Sequence, residues 1–529
     1  MVYTYPRPRL PKEFEDQHGD PVSSGQGLAV CETASSYCPR NPEGSVLYGV
    51  VAAQLNAFLE RQRSRDRHVP RFVERELRSF LDCGILARGF LRVHCDACGK
   101  DRLVAYSCKG RGFCPSCGGR RMADTAAHLV DRVFPEVPVR QWVLSVHFRL
   151  RYRLAYDARL LTEVLRIFVQ AVFASLRRRA GFRAGDRTIR CGAVTFVQRF
   201  GDALNLNVHF HMLALDGVYA ESKRGHIRFH VAPPPSDAEV ARLARRLHHR
   251  VGRLLERCGL GPQSDPDEVD TLLNDQPLLA ELYGASVSGR VATGRRAGHR
   301  LAKVGGQVDA EDLPAPSGPR CATISGFSVH ANVSVPAHDR MRLERLCRYA
   351  GRPPLATDRL SMLPDGRLLY RLKRRWRDGT SHIIFEPLDL VAKLAVLVPP
   401  PRFNLVRYHG VLAPSAGWRA LLVPPGPETD YPQSHPRCEV GRPVSDSGPE
   451  SPKPKGNGRV RNYSWALLLR RVFAVNVLEC PECHGRMRIV AAIQAPEAIC
   501  KILQCLGLPA RPPPMAGPLP DSETEELYL

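Results

Sequence analysis

Apolar residues recur along the chain at two spacings, and the switches between them mark its elements. In SVLYGVVAAQLNAFLERQ (45–62) and RFVERELRSFLDC (71–83) they fall three and four apart, the period of helices with one buried face. After Pro135, QWVLSVHF reads as a strand, LLTEVLRIFVQAVFASLRRR as an amphipathic helix, and CGAVTFVQRF and LNLNVHFHMLAL as two strands joined at Gly201-Asp202. The polar helix DAEVARLARRLHHRVGRLLERCG follows, then a Gly-rich stretch to about residue 320, then the strand SGFSVHANVSV. The order β-α-β-β-α-β is that of a split, ferredoxin-like α+β unit, here large, about 140 to 335.

Beyond it, RMRLERLCRYAGRPPL predicts a short helix stopped by Gly351 and Pro353-Pro354, with Met341, Leu343 and Leu346 docking on the sheet. LSMLPDGRLLYRLKRRW predicts a hairpin turning at Pro364-Asp365-Gly366. The resulting division is a disordered tail over 1–45 and an N-terminal module over 46–135 with a cysteine-rich block. A main domain covers 136–400, extended over 401–423, and a linker rich in Pro, Ser, Gly and charge covers 424–460. Last comes a helical C-terminal region over 461–529 containing a C-x-x-C pair.

Composition narrows the class. With 529 residues and 43% apolar content the chain can bury more than one core. Its 76 Lys+Arg against 53 Asp+Glu, a formal +23, point to a polyanionic partner. No apolar run is long enough to span a membrane, and the N-terminus lacks a signal-peptide pattern, so a cytoplasmic location and no membrane partner are expected. Six of the 17 cysteines form three C-x-x-C pairs and the rest are scattered, which favours metal sites over a disulfide framework.

HCDACGKDRLVAYSCKGRGFCPSCGGRR holds Cys95-x-x-Cys98 and Cys114-x-x-Cys117, fifteen residues apart, each followed by glycine. Two such turns can present four thiolates to one tetrahedral ion, and a closed four-thiolate site is structural, so a Zn²⁺ on Cys95, Cys98, Cys114 and Cys117 is expected. Cys83 and Cys108 read as ordinary buried thiols. Arg102, Lys109, Arg111, Arg120 and Arg121 stand around the block and suit DNA phosphates. Near the C-terminus, Cys480-x-x-Cys483 supplies half a site, with His484 or Cys438 needed to complete it.

In NLNVHFHML, His209 and His211 are two apart, and residues two apart on a strand share a face. Gln198 of the preceding strand can come level with them across an antiparallel hairpin, and His330 is the alternative third ligand. Two imidazoles and an amide oxygen suit Mg²⁺ or Mn²⁺ bound together with phosphate. Tyr349 lies near the end of the short helix, with Arg345 and Arg348 adjacent to grip phosphate.

The runs SCKGRGFCPSCGGRRM, LNVHFHMLALDGVY, LERLCRYAGRPPLATDRL, DGRLLYRLKRRWRDGT and LVRYHGVLAP resemble the rolling-circle insertion-sequence transposases of the HUH class, the IS ninety-one group and its common-region relatives. The resemblance extends from about residue 46 to 515. It implies an HUH nuclease domain in which His209 and His211 bind the divalent cation. Tyr349 would attack DNA to give a 5′-phosphotyrosine link and a free 3′-hydroxyl. The founding branch has a second tyrosine four residues on, where this chain has Pro353, so a single-tyrosine enzyme is implied. Its partner would be DNA, mainly single-stranded or hairpin transposon ends, met at the nucleoid. The rival expectations are a plasmid replication initiator or relaxase, and a zinc-dependent DNA-binding regulator without catalysis.

Overall fold

Helix α1 (Val46–Arg63) begins where the Ser45 hydroxyl accepts from the Tyr48 N–H at 3.2 Å, satisfying a donor of the first turn that has no partner within the helix. Its Leu47, Val51, Leu55 and Phe58 are buried and share a core with Val73, Leu77 and Phe80 of α2 (Arg71–Leu81). An antiparallel hairpin follows, β1 (Phe90–Cys95) and β2 (Asp101–Ala105). Then comes α3 (Pro115–Arg132), opened by Pro115, whose missing N–H would have no intrahelical partner at that position. These elements belong to a computed structural model that describes residues 41–261, 270–305, 318–423, 467–468, 471 and 478–517. The linker expected over 424–460, and all but the last five residues of the expected tail, lie outside the described residues.

The centre of the molecule is built from β3 (Val139–Ser145), α4 (Phe148–Tyr156), α5 (Ala158–Arg179), β4 (Gly192–Phe200) and β5 (Leu206–Leu215). The small hairpin β6 (Gly217–Glu221) and β7 (Ile227–Val231) and the helix α6 (Asp237–Arg257) come next. The Gly-rich stretch, for which the sequence assigned no elements, contains α7 (Thr271–Asp275), α8 (Pro277–Val287) and β8 (Ala302–Val304). Asp270 explains part of this: it caps α7 and accepts from the hydroxyls of Tyr152 (2.8 Å) and Tyr156 (2.9 Å) of α4, a tertiary anchor that composition does not reveal.

The chain then forms β9 (Cys321–Ile324), β10 (Phe327–His330), β11 (Ser334–Val335) and α9 (Arg340–Ala350). After these come β12 (Leu360–Met362), β13 (Leu368–Arg371), β14 (His382–Phe385), α10 (Pro387–Leu397), β15 (Val406–Gly410) and α11 (Arg419–Leu422). The described chain closes with β16 (Met487–Ile493) and α12 (Pro496–Cys505).

The main sheet runs β15-β4-β5-β3-β10-β9, with β11 also paired to β3, and its pairings are antiparallel. Side chains alternate across it. One face, with Trp142, Leu144, Phe210 and Met212, packs under α5 and α6 in the large core, where the Phe168 and Phe210 rings lie 6.4 Å apart. The other face, with Val139, Val194, Phe196 and Leu213, is covered by Leu343, Leu346 and Ala350 of α9 and by Leu129 and Val130 of α3. Met341, expected to dock there, is 70% exposed, because it lies on the outer side of α9.

Beneath α5 and α6, Asp216 is buried between Arg140 (2.7 Å) and Arg179 (3.5 Å), and Arg179 also reaches Glu239. A second sheet, β12-β13-β14-β8, grows from the expected hairpin, whose turn has Gly366 at φ +84°. The C-terminal region does not stand alone as a helical unit. Its strand β16 pairs with β1 to make the sheet β16-β1-β2, and Ile499 and Leu503 of α12 pack on Phe90.

Candidate active site and metal centres

Register, a local property of the β4-β5 hairpin, places the first group. Gln198 pairs directly with His209, and Phe196 with His211, so the two histidines and the glutamine lie on the sheet face covered by α9. His209 is 9% exposed, His211 5% and Gln198 4%. Burial pushes His209 down to about 4 and His211 well below the ordinary imidazole value, with Arg352 adding to both shifts, so both rings are neutral at pH 7. His209 Nδ1 lies 2.8 Å from the Asn207 carbonyl. A carbonyl only accepts, so Nδ1 carries the proton and Nε2 keeps its lone pair, the form that binds metal.

The Gln141 amide lies 2.9 Å from His211 Nδ1. The atom facing the ring is Nε2, which donates, so Nδ1 accepts and the ring proton lies on Nε2; turned over, the amide would place that proton on Nδ1 and leave the Nε2 lone pair to a metal. His211 Nε2, Gln198 Oε1 and Asn207 Oδ1 are buried without a hydrogen-bond partner among the described residues. Buried polar atoms left unpaired are costly, and three on neighbouring positions of one sheet face, His211 Nε2 in the tautomer that frees its lone pair, fit a cation with oxygen and nitrogen ligands. His330 pairs with Val143, which pairs with His211, so it stands one strand further along the same row.

Tyr349 arrives on α9. Its ring centroid is 6.0 Å from that of His211, and the two rings meet edge on. Gln198 ties this helix to the sheet: its Nε2 donates to the Ala350 carbonyl at 2.7 Å, which turns Oε1 the other way. The Arg352 guanidinium carbon lies 4.4 Å from the Tyr349 ring centroid and the Lys373 ammonium 5.0 Å from it. Of the two arginines expected beside the tyrosine, Arg345 is half-buried, and Arg348 is paired with Glu344, which also binds Arg471. Arg352 and Lys373 are the cations that face the Tyr349 ring. Tyr370 is 2% exposed and packs near Phe385 in the large core.

Sequence reasoning missed Gln141, Asn207, Arg352 and Lys373. Asn207 could have been found, since it is two residues before His209 on the same strand face. Gln141 comes from β3, beside β5 in the sheet but distant from it in sequence, and Lys373 from a separate hairpin, and no local signal points to them.

The cysteines regroup. Cys95 and Cys98 do not meet Cys114 and Cys117; the described thiols form two separate sets, Cys83, Cys108, Cys114, Cys117 and Cys95, Cys98, Cys480, Cys483. Within each set the sulfurs lie within 4.8 Å of one another. The reason is the hairpin. Cys95 and Cys98 sit at its turn, and β2 then carries the chain back along β1 at about 3.4 Å per residue, to the far end where Cys108 lies. In the first set Cys108 and Cys117 are 3.4 Å apart, Cys83 and Cys114 3.7 Å, and Cys83 and Cys117 3.8 Å. A tetrahedral zinc with bonds of about 2.3 Å spaces its sulfurs by about 3.8 Å. Cys83 and Cys108 are thus members of this set, and the start of α3, where Cys114 and Cys117 sit, favours thiolates.

Of the basic residues around the block, Lys109 and Arg120 are exposed and Arg102 is half-buried on β2. Arg121 donates to the carbonyls of Gly110 (3.0 Å) and Lys109 (3.1 Å), and Arg111 to that of Phe403, so both brace the loop that holds Cys108.

A thiolate-set module joined to a buried histidine pair beside a tyrosine helix has the parts of a metal-binding enzyme acting on a polyanion, and the family comparisons define that class as transposase. Residues 51–146 match the family described as "Transposase zinc-binding domain" (Zn_Tnp_IS91), and residues 192–418 match the family described as "Putative transposase" (Y2_Tnp). Together the two matches span more than half of the chain, which belongs to the IS91-type transposases. No curated protein and no solved structure matches it. The first match contains the whole Cys83 set, and the second contains Gln198, His209, His211, Tyr349, Arg352 and Lys373. Among the described residues no helix is long and apolar enough to cross a membrane.

Proposed function

We propose that this transposase nicks and rejoins single DNA strands at transposon ends through a 5′-phosphotyrosine link on Tyr349, in rolling-circle fashion. The reading rests on one observation: the neutral pair His209 and His211, the unpaired Gln198 Oε1 and the ring of Tyr349 occupy one face of one sheet. The strand order β10-β3-β5-β4, with α5 and α6 on the opposite face, supports a split βαββαβ HUH unit, the order expected when two β-α-β halves interleave.

His209, His211 and Gln198 would hold Mg²⁺ or Mn²⁺, which when bound polarises a phosphodiester oxygen. The Tyr349 phenolic oxygen attacks phosphorus, the P–O3′ bond breaks, and the phenolic proton is balanced by the one the departing 3′-oxygen takes up. The 3′-hydroxyl can reverse the step, because the phosphotyrosine keeps the diester's energy. Arg352 and Lys373 beside the ring offer charge to the phosphate and to a phenolate. The Cys83 set supplies structural zinc, and the exposed Lys109 and Arg120 with Arg102 and Arg345 supply phosphate contacts that hold single-stranded or hairpin DNA at the nucleoid.

The test is a covalent-adduct assay with labelled single-stranded transposon-end oligonucleotides and Mg²⁺. Tyr349→Phe keeps the ring and its two cations, so it should fold, bind DNA and form no denaturation-resistant adduct, while Tyr370→Phe should form it normally. An adduct on the Tyr349→Phe protein would refute the assignment.

A further inference from the structure

The second cysteine set joins the two ends of the described chain. Cys95 Sγ lies 3.5 Å from Cys483 Sγ, and Cys98 Sγ 3.5 Å from Cys480 Sγ, across a sequence separation of 382 residues for the latter pair. Cys480 and Cys483 fall outside both family matches. Disulfides are not the explanation, since a sulfur–sulfur bond is about 2.05 Å and all four thiols are free.

The two turns that carry these thiols are copies of each other. In one, the Cys95 N–H donates to the Lys100 carbonyl (2.9 Å) and the Gly99 N–H to the Cys95 carbonyl (2.9 Å). In the other, the Cys480 N–H donates to the Gly485 carbonyl (2.8 Å) and the His484 N–H to the Cys480 carbonyl (3.0 Å). The fifth residue of each turn is left-handed, Gly99 at φ +73° and His484 at φ +56°. The sixth turns its N–H to the second sulfur, Lys100 to Cys98 and Gly485 to Cys483. Two knuckles of one geometry, facing each other with their sulfurs at tetrahedral spacing, are what a four-thiolate ion needs. His484 is no ligand here: its ring bonds Glu479 at 2.8 Å and is 77% exposed, and Cys438 lies outside the described residues.

We infer that Cys95, Cys98, Cys480 and Cys483 bind a second zinc ion that staples residues 478–517 onto the N-terminal module. The apolar contacts there are small. Val93, Cys95, Cys480 and Met487 form one cluster, Phe90, Ile499 and Leu503 another, and Ile489 and Val490 of β16 face outward at 55% and 44% exposure. Clusters of this size do not by themselves hold a segment against the entropy of closing so long a loop, and a metal does. From the staple the chain runs back to α1, where the Asn56 side chain donates to the Ala516 carbonyl at 2.8 Å.

The experiment uses the full chain. Mass-spectrometric metal analysis should find about two zinc ions in the wild type and about one in Cys480→Ser/Cys483→Ser, one for each thiolate set. Hydrogen exchange in that variant should rise in 487–493 and 90–95 and stay slow in 115–132. Cys480→His, which retains a ligand, should restore the second zinc and the protection. Two zinc ions remaining in the double variant, or iron in place of zinc, would overturn the inference. So would one zinc in the wild type with Cys480 and Cys483 alkylated by iodoacetamide under native conditions, a result that leaves the Cys83 site standing. A zinc-free wild-type chain would overturn both sites.

Discussion

Gln198 has two tasks that can be separated by replacing it with methionine, which is close in volume and has no amide. The substitution deletes the Nε2–H bond to the Ala350 carbonyl, leaving a buried acceptor unpaired at the end of α9, at a cost of about 1–3 kcal/mol. It also deletes Oε1, itself a buried acceptor without a partner among the described residues, and relief of that desolvation penalty returns about the same amount. In metal-free protein these two effects nearly cancel, and the stability of Gln198→Met should lie within about 1 kcal/mol of wild type. With metal the two proteins separate. Saturation at a hundred times Kd stabilises a site by about 2.7 kcal/mol, and the variant, lacking one of three ligands, should lose most of that. Urea unfolding followed with and without Mn²⁺, alongside calorimetric Mn²⁺ titration, measures both quantities. A variant that bound Mn²⁺ as wild type does, or was stabilised by it equally, would show that Gln198 is only a helix tether. Gln198→Glu is the companion. It keeps an oxygen for the metal but sets a carboxylate against the Ala350 carbonyl, so it should bind Mn²⁺ yet form adduct slowly.

Other outcomes follow from the same geometry. Arg352→Met removes a guanidinium beside Tyr349 whose Nη1 is buried without a partner among the described residues, and adduct formation should fall by about 10²–10³-fold, while Mn²⁺ affinity holds or rises because a nearby positive charge is gone. Asp216→Ala leaves Arg140 and Arg179 buried without their shared carboxylate and should destabilise the central domain by about 3–5 kcal/mol, read as a lower urea midpoint. His409, 3.1 Å from the Thr195 hydroxyl, is pushed down by burial to about 4. Between that value and the unfolded imidazole's ~6.5 only the unfolded chain takes up the proton, so stability present above the window is lost as pH falls through it. His409→Gln should flatten that dependence between pH 6.5 and 4, and an unchanged slope would remove His409 as its cause.

What the sequence determined by itself is what local geometry controls. The two-residue period of a strand puts His209 and His211 on one face, whereas Gln198 comes level with His209 through a register shift between Gln198 and Phe200 that the hairpin sequence does not announce. Helix periods, the Gly366 turn and the stop at Gly351 were legible from local geometry as well. Tyr349 stood out only through resemblance to a family, since nothing in its own spacing separates a nucleophile from a packed aromatic. Tertiary structure decided the rest. It brought Arg352 and Lys373 to the tyrosine from beyond the helix, and committed Arg348 to Glu344 instead. It also parted Cys95 and Cys98 from Cys114 and Cys117, because the strand between them carries one pair to each end of a hairpin and the missing partners come from Cys83 and Cys108 on one side and the far end of the chain on the other. A metal selects ligands by distance in space, and a C-x-x-C turn encodes only half of that choice: the other half depends on which segments the folded core brings to face it.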